Sequence, residues 1–228
     1  MYKYLINLLF PKLCVGCEDL LNGNEIFLCN KCLHLVPCTN LHTIEGSMIK
    51  DLFYGSVCLE QATALFYFHK DGIVQKLMHH LKYKGQEGIS SYLGNWLGED
   101  LKSCNAYKDI DIVIPVPLHT KKLKSRGYNQ VDGFGKAIAN KLKVGFVNNV
   151  LIRDKNTHTQ TKKSRWKRWK NVDTIFMLDS TKTALLKGKH ILLVDDIITT
   201  GSTIKACAYE LLKIPNVKLS IAVMAYTE

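Results

Sequence analysis

The sequence predicts an α/β fold: a mostly parallel sheet with helices on both faces and a small metal-binding region near the N-terminus. Three observations lead there. Two strand-like runs, Ile110–Ile114 and Ile191–Val194, each lead into a loop rich in polar and turn-forming residues. Between them, apolar residues recur three and four positions apart, the period of a helix with one buried face. Ahead of both, four of the eight cysteines fall in two close pairs. Strands that alternate with helices build βαβ units, and these bury both faces of a parallel sheet.

Residues 13–37 are short, irregular and cysteine-paired. A strand is expected over 62–68, where Ala64, Phe66 and Phe68 alternate against Thr63, Leu65 and Tyr67, both sets partly apolar. Ile73, Val74, Leu77, Met78 and Leu81 mark a helix that Gly85 stops. Ile89, Tyr92, Leu93, Trp96 and Leu97 mark a second, over 88–101. The strand 110–114 closes at Pro115, and a helix from about Asn129 to Leu142 carries Val131, Phe134, Ile138 and Leu142. After the strand 191–194 come a Thr/Gly/Ser turn, a helix over 203–212 and a last strand over 217–226. The organisation expected is a four-cysteine region over 1–40 and an α/β domain over 41–228.

The chain has 228 residues, 46% hydrophobic and 22% charged, which is enough to bury a core without disulfides. No apolar run approaches the ~20 residues a membrane helix needs, and Leu5–Phe10 is short for a signal-peptide core and lacks a cleavage site. A cytoplasmic protein with no membrane insertion is therefore expected. The net charge of +11 favours polyanionic partners, nucleic acid among them.

The clearest chemistry is in Asp195-Asp196-Ile-Ile-Thr199-Thr200-Gly201-Ser202-Thr203, which follows a buried strand and opens a helix. Gly201 lets the backbone come close to a ligand. The four hydroxyls, the turn N–H groups and the helix N-terminus suit a phosphate monoester. Asp195 and Asp196, at the C-terminal end of the strand, face the crevice where such folds bind ligands. They can accept hydrogen bonds from a vicinal diol, with Mg²⁺ held mainly by the ligand's own oxygens.

A second loop, Pro115–Gln130, leaves the other strand. Its Lys121, Lys122 and Arg126 can hold a second anion, Asn129 caps the next helix, and His119 is a hydrogen-bonding surface residue or an acid–base group. From Arg153 to Lys170 the chain is basic and interleaved with Trp166 and Trp169. That pattern suits a lid over the anion site, a nucleic-acid surface on which an indole stacks on a base, or a solvated helix. Arg153, Gln160, Arg165, Trp166 and Arg168 are its candidate contacts.

Cys14-x₂-Cys17 and Cys29-x₂-Cys32 have the spacing of a tetrahedral thiolate site with no open position, which points to structural zinc. Cys38 is an alternative ligand of poorer spacing. Cys58, Cys104 and Cys207 read as buried thiols.

The 195–203 string resembles the phosphoribosyl pyrophosphate signature of the type I phosphoribosyltransferases. That resemblance implies a 5-phosphate at Thr199–Thr203 and ribose hydroxyls at Asp195 and Asp196. Nearly the whole chain is similar to the ComF family of competence proteins. The likeness is carried by Lys82-Tyr83-Lys84-Gly85 and by the Pro-Val-Pro-Leu-His…Arg-Gly-Tyr-Asn-Gln run of Pro115–Gln130. It continues through Arg153, Thr157, Gln160, Arg165 or Arg168, and Asn171-Val172, together with the cysteine pairs. Lysines stand at 121, 122 and 124 where arginines are usual, and His158-Thr159 where a Pro-Ser-type pair is common; lysine lacks the bidentate fork.

The resemblance implies phosphoribosyl pyrophosphate with Mg²⁺ as ligand, single-stranded DNA as a partner, and a role in transformation among competence or recombination proteins. Three functions stay open. The first is phosphoribosyl transfer to an unknown acceptor. The second is a non-catalytic single-stranded DNA-binding module that senses the sugar phosphate. The third is a nucleobase salvage enzyme, for which no base-binding hood is recognisable.

Overall fold

The computed structural model describes residues 11–44, 48–153 and 176–227. Their elements follow the expected alternation. A short helix α1 (Asn30–Leu35) lies in the cysteine-paired region, and a one-turn helix α2 (Met48–Asp51) precedes strand β1 (Ala62–Tyr67). Helices α3 (Ile73–Tyr83) and α4 (Gly88–Ser103) lead to β2 (Ile112–Pro115), α5 (Thr120–Arg126), α6 (Gln130–Leu142) and β3 (Gly145–Phe146). Then come β4 (Leu151–Arg153), β5 (Phe176–Leu178), α7 (Thr183–Leu186), β6 (His190–Ile198), α8 (Ser202–Leu211) and β7 (Lys218–Tyr226).

Five strands form one parallel sheet in the order β1-β7-β6-β2-β3, while β4 and β5 make a separate antiparallel pair. Parallel strands need crossovers, and the crossing helices cover both faces. The central strand shows this directly. Leu192 and Val194 enter the core shared with α3, α4 and α6, whereas Ile191 and Leu193 enter the core shared with α8. The run 191–194 is continuously apolar because side chains of period two meet a core on either side.

On the first face α4 and α6 are in close approach. A Cβ added at Gly94 would lie 2.8 Å from the Ala137 Cβ, so only glycine admits this spacing. The cysteine-paired region packs on the same core, with Cys14, Val15, Leu28 and Cys32 joining Val74 and Leu77 of α3. The chain then runs along the edge of β1. Thr39 N–H donates to Leu65 O (3.0 Å), Tyr67 N–H donates to Pro37 O (2.9 Å), and Cys38 bridges Phe66. These contacts cover an edge that would otherwise present open hydrogen-bonding groups.

Two expectations are corrected. The strand read as 191–194 runs from His190 through Ile198, so Asp195 and Asp196, expected at its C-terminal end, lie inside it with two residues still to follow. The basic loop after β2 contains the seven-residue helix α5, which sequence periodicity could not show because none of its residues is buried. Among the described residues no helix is long and apolar enough to cross a membrane.

Candidate functional site

The C-terminal ends of β2 and β6, neighbours in the sheet, open into a cleft of ≈ 210 Å³. In an open parallel sheet this is the end where loops diverge and ligands enter. Asp195, Asp196 and Thr203 line one side; Lys122, Arg126, Asn129 and Gln130 line the other, with Lys82, Tyr83 and Arg153 completing it.

The two carboxylates differ. Asp196 Oδ2 accepts from Lys82 Nζ (2.7 Å) and from Gln130 Nε2 (2.7 Å), and its Oδ1 accepts the Ile197 N–H (2.7 Å). Three donors, one of them cationic, thus converge on this carboxylate. Asp195 is buried, and its Oδ1 accepts only the Asp196 N–H (2.8 Å) among the hydrogen bonds found. Burial first, and then the neighbouring Asp196 charge, push its carboxyl up to about 8. One acid of the pair therefore holds a proton near neutrality while the other is an acceptor. Beneath Asp195 on α8 lies Cys207, whose thiol is pushed up by burial and then by the Asp195 charge.

The cationic wall is α5. Its Lys122 and Arg126, four residues apart, share one face, while Lys121 lies on the same helix, exposed and outside the cleft lining. Arg126 donates to Gln130 Oε1 and lies 5.7 Å over the Tyr83 ring. The helix is capped by His119, whose Nδ1 accepts the Lys121 N–H (3.1 Å). That contact gives His119 a capping role at the start of α5. Asn129 caps α6 as expected, its Oδ1 accepting the Val131 N–H (3.3 Å), and its amide donates to Val116 O (3.1 Å). The Tyr128 hydroxyl donates to Leu81 O, fastening the loop to α3.

Between β6 and α8, Thr199, Thr200 and Ser202 are exposed and Gly201 is buried. Gly201 has φ 72°, and a Cβ there would meet the Phe53 ring at 3.0 Å, so glycine is required twice over. Lys205 lies over the same ring at 5.5 Å. Thr200 and Ser202 hydroxyls are 2.8 Å apart beside the helix start, whose first N–H groups lack intrahelical partners. Of the seven residues expected here, Asp195, Asp196 and Thr203 reach the cleft lining, Thr199, Thr200 and Gly201 form the turn, and Ser202 opens α8. Arg153 also reaches it from β4, stacked over Phe176 at 5.3 Å. Gln160, Arg165, Trp166 and Arg168 lie outside the described residues.

Away from the cleft, the Sγ atoms of Cys14, Cys17, Cys29 and Cys32 all lie within 4.8 Å of one another. Sulfurs around a tetrahedral zinc are about 3.8 Å apart, and Cys17 and Cys29 already stand at 3.6 Å. The set fits a metal ion such as zinc. Burial opposes ionisation of Cys14, but the Cys29, Cys17 and Gly16 N–H groups outweigh it and bring the thiol down to about 7, whereas burial pushes Cys32 up. A cation bound among four sulfurs would favour their thiolate forms. Cys38 stands outside it on the β1 edge, and Cys58, expected buried, is exposed.

Residues 133–227 match the phosphoribosyl transferase domain family. Competence protein F of Haemophilus influenzae is 28% identical over 204 residues, covering 84% of this chain and 80% of the relative. The chain is similar to the ComF-type competence proteins and carries a phosphoribosyl transferase domain match. Competence protein ComFC of Streptococcus pneumoniae is 31% identical over 123 residues, 54% of this chain and 50% of that one. DNA utilization protein YhgH of Escherichia coli is 29% identical over 140 residues, 60% of each.

In this chain, sequence reading passed over the contacts of Lys82 and Gln130. Both stand in the motifs that carry the resemblance, Lys82-Tyr83-Lys84-Gly85 and Pro115–Gln130, but only the fold brings them to Asp196.

The state of Asp195 has a measurable consequence. Burial and the Asp196 charge push its carboxyl from the ordinary carboxylate value of 3.8 up to about 8 in the folded chain. Between those values the folded chain holds a proton the unfolded chain has lost, so this group's contribution to stability falls as pH rises. Stability measured by chemical denaturation for wild type minus Asp195→Asn is expected to decrease from about pH 5 to about pH 8 and then level off. A flat difference across that window would mean that Asp195 is already ionised in the fold.

Proposed function

We propose that the cleft binds phosphoribosyl pyrophosphate, and that the protein acts in DNA uptake with transfer of the phosphoribosyl group to an acceptor as its chemistry. The observation that carries this reading is the acid pair of β6 beside the N-terminus of α8, facing the Lys122 and Arg126 wall across one small cleft. Thr199–Thr203 would hold the 5-phosphate through hydroxyls and the helix N-terminus. Asp195 and Asp196 would take the ribose hydroxyls, one acid as a donor and the other as an acceptor. Lys122 and Arg126, with Lys121 beside them, would hold the pyrophosphate.

Mg²⁺ would travel on the ligand's own oxygens and offset charge on the leaving group. Displacement at the anomeric carbon passes through a cation-like state and needs no protein nucleophile. The chain's contribution is then to position the ligand and to stabilise the departing pyrophosphate. Titration calorimetry with phosphoribosyl pyrophosphate and Mg²⁺ is expected to give saturable binding that Asp195→Ala/Asp196→Ala abolishes. Absence of binding by the wild type would overturn the reading.

The cysteine quartet is proposed to hold one structural zinc in a region spanning residues 1–40. Each purified chain should contain about one zinc per molecule. Cys14→Ser should lose it and unfold at a lower temperature. Full retention of thermal stability after metal removal would count against a structural role.

For the role in DNA uptake, the relatives' names and the +11 charge support single-stranded DNA as the partner, with Arg153, Gln160, Arg165, Trp166 and Arg168 as contacts and the cytoplasm as the compartment. Affinity for an oligonucleotide should fall at least about tenfold between about 50 and 200 mM salt, because phosphate contacts release counterions. A salt-independent affinity would remove the arm from the proposal.

A further inference from the structure

We infer that Lys82 is a further ligand-binding residue of this cleft, its ammonium held in place by Asp196 and presented to the pyrophosphate group of the entering sugar phosphate. The inference rests on the reading of the cleft proposed above and adds a third cation, from a different element, to the two on α5.

The geometry has three parts. Lys82 is in the last turn of α3 and lines the cleft, with its side chain 20% exposed, and Asp196 is 14% exposed. An ion pair this sheltered is set in one place, whereas an exposed lysine samples many. An ammonium has three N–H donors, and the bond to Asp196 uses one, leaving two for a ligand.

The second part is a continuous chain of contacts. Arg126 donates to Gln130 Oε1, Gln130 donates to Asp196 Oδ2, and the same oxygen accepts from Lys82. Arg126 is also stacked over Tyr83, the residue after Lys82, and Tyr128 is bonded to Leu81, the residue before it. The position of Lys82 is thus tied to that of Arg126 from both sides, so the two cations face one ligand group in a fixed relation.

The third part is lone-pair arithmetic at Asp196. A carboxylate offers about four acceptor sites. Two donors already meet Oδ2 and one meets Oδ1, leaving room for a single ribose hydroxyl. That single site suits one hydroxyl of the diol, the other falling to Asp195, so Lys82 can keep its bond to Asp196. Its two remaining N–H groups are then free for the anion held by Arg126 and Lys122, and Lys82 distinguishes a ligand that carries the pyrophosphate from one that lacks it.

The test compares phosphoribosyl pyrophosphate with ribose 5-phosphate, the second read as a competitor of the first, on full-length wild type, Lys82→Met and Lys82→Arg. Lys82→Met should weaken phosphoribosyl pyrophosphate about tenfold or more, the loss of a charge-assisted hydrogen bond, and leave ribose 5-phosphate within about threefold. Lys82→Arg, which keeps the charge, should restore most of the affinity for phosphoribosyl pyrophosphate. Should Lys82→Met not fold, Lys82→Gln gives the same comparison, since its amide can still bond Asp196 without a charge. Equal losses for both ligands would assign Lys82 a purely structural part and overturn the inference alone. Unchanged affinity for both would overturn it too. A wild type that binds neither ligand would overturn the reading of the cleft and this inference with it.

Discussion

Two consecutive carboxyl groups at the end of a buried strand are an electrostatic liability, and the contacts of Lys82 and Gln130 with Asp196 are what make the arrangement tenable. Without them both acids would face the same low-dielectric surroundings, and ionising either would oppose the other. With them the pair divides. Asp196 is bonded on both oxygens, while Asp195, buried against α8, is held up to about 8. The rest of the site is organised around that division, since Gln130 is also the first residue of α6 and the acceptor of Arg126. One side chain therefore joins the acidic strand to the cationic helix.

The sheet supplies the stage for this. Because β2 and β6 are parallel neighbours, both chains turn outward at the same end and place their connecting loops side by side. One loop carries the cations of α5, and the other carries the hydroxyls before α8. A basic surface helix by itself is ordinarily just solvated, but α5 stands across one cleft from the acid pair and becomes a wall of it. That adjacency follows from the long-range register of β2 on β6, with Ile112 opposite Ile191.

That dependence on register explains what was legible in the sequence. The strand 191–194 and the helix after it could be read because local chemistry decides them: an unbroken apolar run, then Gly201 at a positive φ. The cysteine quartet was legible for the same reason, its spacing being a property of short turns. Helix α5 was not, because it buries no residue and so leaves no apolar period. Lys82 and Gln130 could be quoted as motif residues but not given roles, since their partner lies on another element. The division between Lys122, in the cleft, and Lys121, outside it, likewise needed the helix; on a loop the two would be equivalent.

The position of Lys82 also gives the cysteine-paired region a physical connection to the cleft. Helix α3 has eleven residues, about 16 Å along its axis. Near its beginning Lys76 donates to the carbonyl of Gly16, which lies between Cys14 and Cys17 (2.6 Å). A Cβ at Gly16 would meet Ile73, the first residue of the helix, at 3.4 Å and Cys32 Sγ at 2.8 Å. At the other end of the same helix Lys82 meets Asp196, and Tyr83 lies under Arg126. A helix is stiff on this length scale, so the knuckle that fixes where α3 begins also fixes where its last turn delivers an ammonium. The small region thus does more than enlarge the core. Its packing sets one of the coordinates on which the acid pair depends.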